Sequence, residues 1–163
     1  MAKSRPSGAI RLLNIQNQNA YSDSAKEWDS QFFPPKPDEI SPSTARTMLE
    51  AEFWETSING EKVKFGREII DHWQNEEKYD DKQINGRLSR LEMARAAVKN
   101  PAEIWDQGKQ TAFVQAFKKK TGGKQAVVVF VNNQGIAFTY FPKDTNALDK
   151  VRKGNRVYQN VLK

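Results

Sequence analysis

Residues 125–142, QAVVVFVNNQGIAFTYFP, decide the fold. Val127 to Val131 is a dense β-branched run and predicts a buried central strand. Asn132-Asn133-Gln134-Gly135 supplies residues that accept positive φ, and so a turn. Ile136 to Phe141 is a second strand. Side chains alternate along a strand, which predicts Ile136, Phe138 and Tyr140 on one face and Ala137, Thr139 and Phe141 on the other. Pro142 has no N–H for a ladder, so pairing is expected to stop there. Upstream, Phe113, Gln115 and Phe117 alternate with Val114 and Ala116, making Thr111 to Lys119 a third strand joined through Thr121-Gly122-Gly123. The three form an antiparallel meander, and on one face of a central strand a single hydroxyl, Thr139, sits between Ala137 and Phe141. That hydroxyl is either an ordinary strand former or an active-site group on a rigid support.

Working outward, helices come before this sheet. Thr44 is a possible cap for a short helix through Leu49, and Asn59-Gly60 between two alternating runs predicts a hairpin over Phe53 to Phe65. Phe65, Ile69 and Trp73 recur every four residues and predict a helix from Arg67 to Tyr79. A second helix is expected over Ile84 to Lys99. Asn100-Pro101-Ala102-Glu103 has the composition of a helix start and predicts a further helical turn. The fold class is α+β, with N-terminal helices on a small antiparallel sheet. Residues 1–42, rich in Pro, Asn and Gln, read as a flexible tail or linker, with Trp28 and Phe32-Phe33 as docking groups. Residues 43–163 read as the folded domain.

Charge is unevenly placed. Residues 1–81 hold 10 Lys and Arg against 15 Asp and Glu, and residues 82–163 hold 16 against 5, so the halves stand at −5 and +11 within the overall +6. A basic folded half points to a polyanion, most simply nucleic acid. The chain has no Cys and one His, which leaves no ordinary zinc site. Phosphate-loop, dinucleotide and nucleophile-elbow motifs are absent. Few acids lie in the basic half, which argues against a carboxylate-held two-metal nuclease. Neither metal nor cofactor is expected. No apolar run is long enough to span a bilayer and MAKSRPSGAI lacks a signal-like core, so synthesis in the cytoplasm is expected.

What remains is His, Thr, Tyr, Arg and Lys over a basic sheet. That set suits metal-free RNA cleavage, in which the 2′-hydroxyl of the RNA is the nucleophile. His72, the sole imidazole, lies beside the apolar helix stripe with Glu68 and Glu76 one turn to either side. A lone helical His is more often structural than catalytic. Arg87 and Arg90, three apart, are surface charges or a phosphate clamp.

In order, the His helix, the Arg helix, "NPAEIW", "AVVVFV", "IAFTYF" and "RKGNRVY" resemble the phage-associated barnase–EndoU–colicin E5/D–RelE-like nucleases over roughly Glu52 to Leu162. The resemblance implies two or so helices on a four-stranded antiparallel sheet, in phage or toxin systems. It implies active-site positions at His72, Arg87 or Arg90, Thr139 and Tyr158. The chain lacks the second His of the EndoU branch, so that mechanism does not transfer whole. The resulting expectation is a toxin-type endoribonuclease that cleaves RNA, with tRNA a candidate, to a 2′,3′-cyclic phosphate. His72 is its acid or base, Thr139 binds the scissile phosphate, Arg87 holds charge and Tyr158 positions or protonates. Arg90, Lys143, Arg152, Lys153 and Arg156 bind the nucleic acid. Its partners would be RNA and a cognate immunity or antitoxin protein, with no membrane. The alternatives are a binding module without chemistry and a phage structural or interaction protein.

Overall fold

The computed structural model describes residues 33–76 and 78–159. Helix α1 (Pro42–Ala51) precedes a hairpin of β1 (Phe53–Thr56) and β2 (Lys62–Phe65). Helices α2 (Arg67–Asn75), α3 (Asp81–Leu88) and α4 (Leu91–Lys99) follow, then strands β3 (Glu103–Asp106), β4 (Gln110–Lys118), β5 (Lys124–Asn132) and β6 (Ala137–Lys143). A 3-10 helix over Thr145–Lys150 leads to β7 (Asn155–Gln159). The main sheet is antiparallel and five-stranded, in the order β6-β5-β4-β3-β7. It thus has one strand more than the resemblance implied. The β1–β2 hairpin stands apart and is tied on by Lys64 N–H donating to Gly135 O at 2.8 Å.

Both faces of this sheet are covered. On one face Ile69, Trp73, Leu88 and Val98 from the helices pack against Phe113, Val127, Val129 and Tyr140. On the other, Phe33, Leu148 and Val151 close over Trp105, Ala112, Val114, Ala126 and Val128. Two-sided burial is why β5 reads as an unbroken apolar run rather than an alternating one. Each large side chain removed from water here contributes roughly 1.5–3 kcal/mol. The meander of β4, β5 and β6 follows the expected pairing, with ends shifted by one to three residues.

Of the expected tail, residues 33–41 are described and lie against the domain; residues 1–32, Trp28 and Phe32 among them, lie outside the described residues. Phe33 is fully buried, and Lys118 N–H donates to Pro34 O while Lys36 N–H donates to Lys118 O.

Other expectations are corrected. Ser41, not Thr44, caps α1, its Oγ accepting from Thr44 N–H at 3.1 Å. Helix α2 ends at Asn75 rather than Tyr79, because Asp80 and Gln83 form a reciprocal capping box that starts α3. The expected helix over Ile84 to Lys99 is two helices. Ser89 Oγ and an Arg90 guanidinium N–H both donate to Gly86 O, and a tightened turn separates α3 from α4. The expected helical turn at 100–103 is instead the entry to β3. Ala102 N–H donates to Val114 O at 2.8 Å, so sheet pairing overrides a good local helix start.

Strand β6 is an edge strand, not a central one. That is why pairing runs through Pro142, opposite Val127, to Lys143: an edge residue can face its missing N–H away from the neighbour. A register shift leaves Phe138 unpaired between Thr139, opposite Phe130, and Ala137, opposite Val131. This bulge breaks the simple alternation, so Ala137 and Tyr140 share the helix-side core although the spacing put them on opposite faces.

Candidate active site at the β6 edge

Helix α2 buries Ile69, Ile70 and Trp73, and packs on β6. The indole N–H of Trp73 needs a polar partner once buried. It finds Thr139 on β6: Nε1 donates to Oγ1 at 2.9 Å. The Trp73 ring meets Tyr140 edge-on at 5.0 Å. His72, one residue earlier, is half-buried, and its ring lies edge-on to Phe138 with centroids 5.6 Å apart. Helix α3 brings Arg87 to the same edge. One guanidinium N–H donates to Tyr140 O at 3.3 Å, and the guanidinium sits 4.3 Å from the Tyr79 ring centre and 5.7 Å from that of Phe141. Three successive residues of β6, Phe138, Thr139 and Tyr140, are thus contacted by His72, Trp73 and Arg87.

A hydroxyl has one proton to give and can accept through its oxygen. Indole N–H is donor only, so the Trp73 bond occupies an acceptor position of Thr139 and leaves its proton uncommitted. Among the described residues Thr139 Oγ1 donates no hydrogen bond. Tyr140 is different. Burial pushes its phenol far above the usual value, against the opposing pull of Arg87, and its Oη has no hydrogen-bond partner. It is a neutral core group.

The remaining candidates divide. Lys143 is half-buried at the end of β6, four residues beyond Thr139. Arg90, in the turn between α3 and α4, donates to Gly86 O of α3 at 2.7 Å. Tyr158 lies on β7, at the opposite edge of the sheet from β6. Strands are spaced about 4.8 Å apart, so four steps separate it from Thr139 by roughly 19 Å. Burial raises its phenol too, and it is 1% exposed among the helix-side core. The expected convergence of His72, Thr139 and Tyr158 therefore does not occur. Arg152 and Arg156 are 8% and 3% exposed and so are not surface cations, whereas Lys153 is exposed. Arg152 holds Glu103 with two bonds of 3.1 Å, and Trp105 Nε1 donates to the same carboxylate at 2.8 Å.

Sequence reading missed Trp73 as the partner of Thr139 and Glu103 as a buried acid. The available signals were an indole on a core stripe and a carboxylate beside Ile104 and Trp105. Among the described residues, no three or more His, Cys, Asp and Glu gather where they could hold a metal ion, and no helix is long and apolar enough to cross a membrane.

No curated protein and no solved structure matches the chain. A family model described as phage-Barnase-EndoU-ColicinE5/D-RelE like nuclease2 matches residues 37–159, from the segment before α1 through β7. With well over half its length fitted by that model, and with helices leading into an antiparallel sheet, the chain belongs to this phage-associated nuclease family.

Proposed function

We propose that the chain is a metal-independent endoribonuclease of toxin type, acting on RNA, with tRNA a candidate, in the cytoplasm and restrained by a cognate immunity protein. The 2′-oxygen attacks the adjacent phosphorus, the bond to the 5′-oxygen breaks, and a 2′,3′-cyclic phosphate remains. One proton must leave the 2′-oxygen and one must reach the 5′-oxygen. His72 carries one of these transfers, and water carries the other. Thr139 donates its free proton to a non-bridging phosphate oxygen, and Arg87 balances the charge that grows there. Lys143 meets the backbone beyond the cut.

The observation that supports this reading most is the Trp73–Thr139 hydrogen bond. It leaves the Thr139 hydroxyl, 6% exposed, with a proton to give on the same edge as the one imidazole and a guanidinium. Incubation with total RNA and purified tRNA in EDTA, read on a gel, tests it. Fragments ending in cyclic phosphate are expected. Intact RNA, or cleavage only after a divalent metal is added, would overturn it.

The same bond also suits a purely structural Thr139, and the chain is then a binding module. A wild type that never cleaves, beside a His72→Ala variant that still binds RNA, would favour that second reading.

A further inference from the structure

Thr139 is bracketed by aromatic rings that the proposed chemistry does not use. Phe130 is its partner across β5–β6, Phe138 precedes it, and Phe141 lies two residues beyond. Phe130 and Phe138 are stacked, with centroids 6.2 Å apart and planes 14° apart. Phe130 and Phe141 are tilted at 5.6 Å. Core phenylalanines of this protein, such as Phe65, Phe113 and Phe117, are 0–1% exposed. These three are half-buried and lie on the last two strands before solvent. The bulge that leaves Phe138 unpaired re-aims a side chain where an ideal ladder would not.

We infer that Phe130, Phe138 and Phe141 form a stacking platform for an unpaired nucleobase next to the phosphate held by Thr139, so that the substrate is single-stranded RNA. This rests on the nuclease reading of Thr139. A base inside a duplex has both faces covered by its neighbours, whereas an unpaired base offers a face to an aromatic ring. Arg87 beside Phe141 and Lys143 two residues further on supply cations for the flanking phosphates.

The test uses 2′-O-methyl oligonucleotides, which lack the nucleophile and stay intact. Removing the base at one position of a single strand should weaken binding roughly 5- to 100-fold. A duplex of the same sequence should bind less tightly. In Phe138→Leu and Phe130→Leu, which keep apolar volume, the penalty for removing that base should shrink toward none. Indifference to base removal at every position, or equal affinity for duplex and single strand, would overturn the platform. The wild-type comparison needs no variant to fold. Cleavage of the matching ribo-oligonucleotide in EDTA is read in parallel. Base-dependent binding without cleavage removes the nuclease reading alone. Cleavage with base-indifferent binding removes the platform alone, and no binding to any strand removes both.

Discussion

Arg87 and Arg152 occupy opposite sides of one sheet and are used in opposite ways. Arg152 is buried, and two of its N–H groups are fixed on Glu103, which also accepts from Trp105. Arg87 is half-buried, makes one long bond to a backbone carbonyl and lies among aromatic rings. A guanidinium held by a buried carboxylate has little left for a ligand. One resting on ring faces keeps donors to give. Residue type alone therefore did not separate the structural arginine from the candidate functional one; hydrogen-bond saturation did.

The largest expected effect lies on the β6 side. His72→Ala should lower the RNA cleavage rate on the order of 10²–10⁴-fold, the usual range for a general acid or base. Its thermal midpoint should stay close to wild type, since His72 is only half-buried. Full activity in this variant would erase the functional half of the contrast.

On the other side, Arg152→Met should leave Glu103 buried without its counter-charge and cost about 3–5 kcal/mol of stability. Urea unfolding measures this. Single-strand affinity of the protein that remains folded should be unchanged. An intact midpoint, or a selective loss of RNA binding, would make Arg152 a ligand contact and collapse the comparison.

Thr139 joins the two roles. Thr139→Ala leaves the Trp73 indole N–H buried without its acceptor and should cost about 1–3 kcal/mol. It should also slow cleavage. Thr139→Ser retains the hydroxyl and should recover both. Chemical denaturation and initial cleavage rates, measured on both variants, decide this. If Ala proves as stable as Ser, the indole bond is not what anchors this edge.

The smallest effect is Tyr140→Phe. The phenol oxygen is buried without a partner, so its removal should be near neutral in stability at pH 7. Burial raises the folded phenol above its ordinary value of 10.0, so above that pH the folded chain keeps a proton that the unfolded chain gives up. The stability is present below about pH 10 and lost as the pH rises. Wild type should lose more of its urea midpoint between pH 9 and pH 11 than Tyr140→Phe does. Tyr158, also raised, leaves some loss in both.

The meander was legible because β-branched runs and Asn/Gly turns act locally, at the scale at which a sequence is read. So was the proximity of the His72 helix to the Thr139 strand, through the apolar stripe of Ile69 and Trp73. Glu103 was misread because an Asn-Pro-Ala-Glu start carries the same local signal whether or not β4 waits to pair with it. Pro142 was misread because only strand order reveals an edge. The Phe138 bulge is a register event between two strands and leaves no mark on either strand alone. Arg152, Arg156 and Tyr158 look like surface and site residues in the sequence. Their burial depends on the 3-10 helix and β7 folding back beside β3, a long-range outcome that no short spacing encodes.

The Trp73–Thr139 bond joins residues 66 apart in sequence. Chains are made from the N-terminus, and distant segments pair only after the loop between them closes. The helix bearing His72 is therefore synthesised well before the strand that completes its surroundings. A growing chain that has not reached β6 carries the imidazole but not the hydroxyl or the rings beside it. On the proposed reading, such a chain is inert toward the ribosome-bound RNA around it until β6 has been made. Ribosome-stalled chains ending before Ala137 should show no cleavage and no protection of the Trp73 indole from solvent, and chains carrying β6 free of the ribosome should show both.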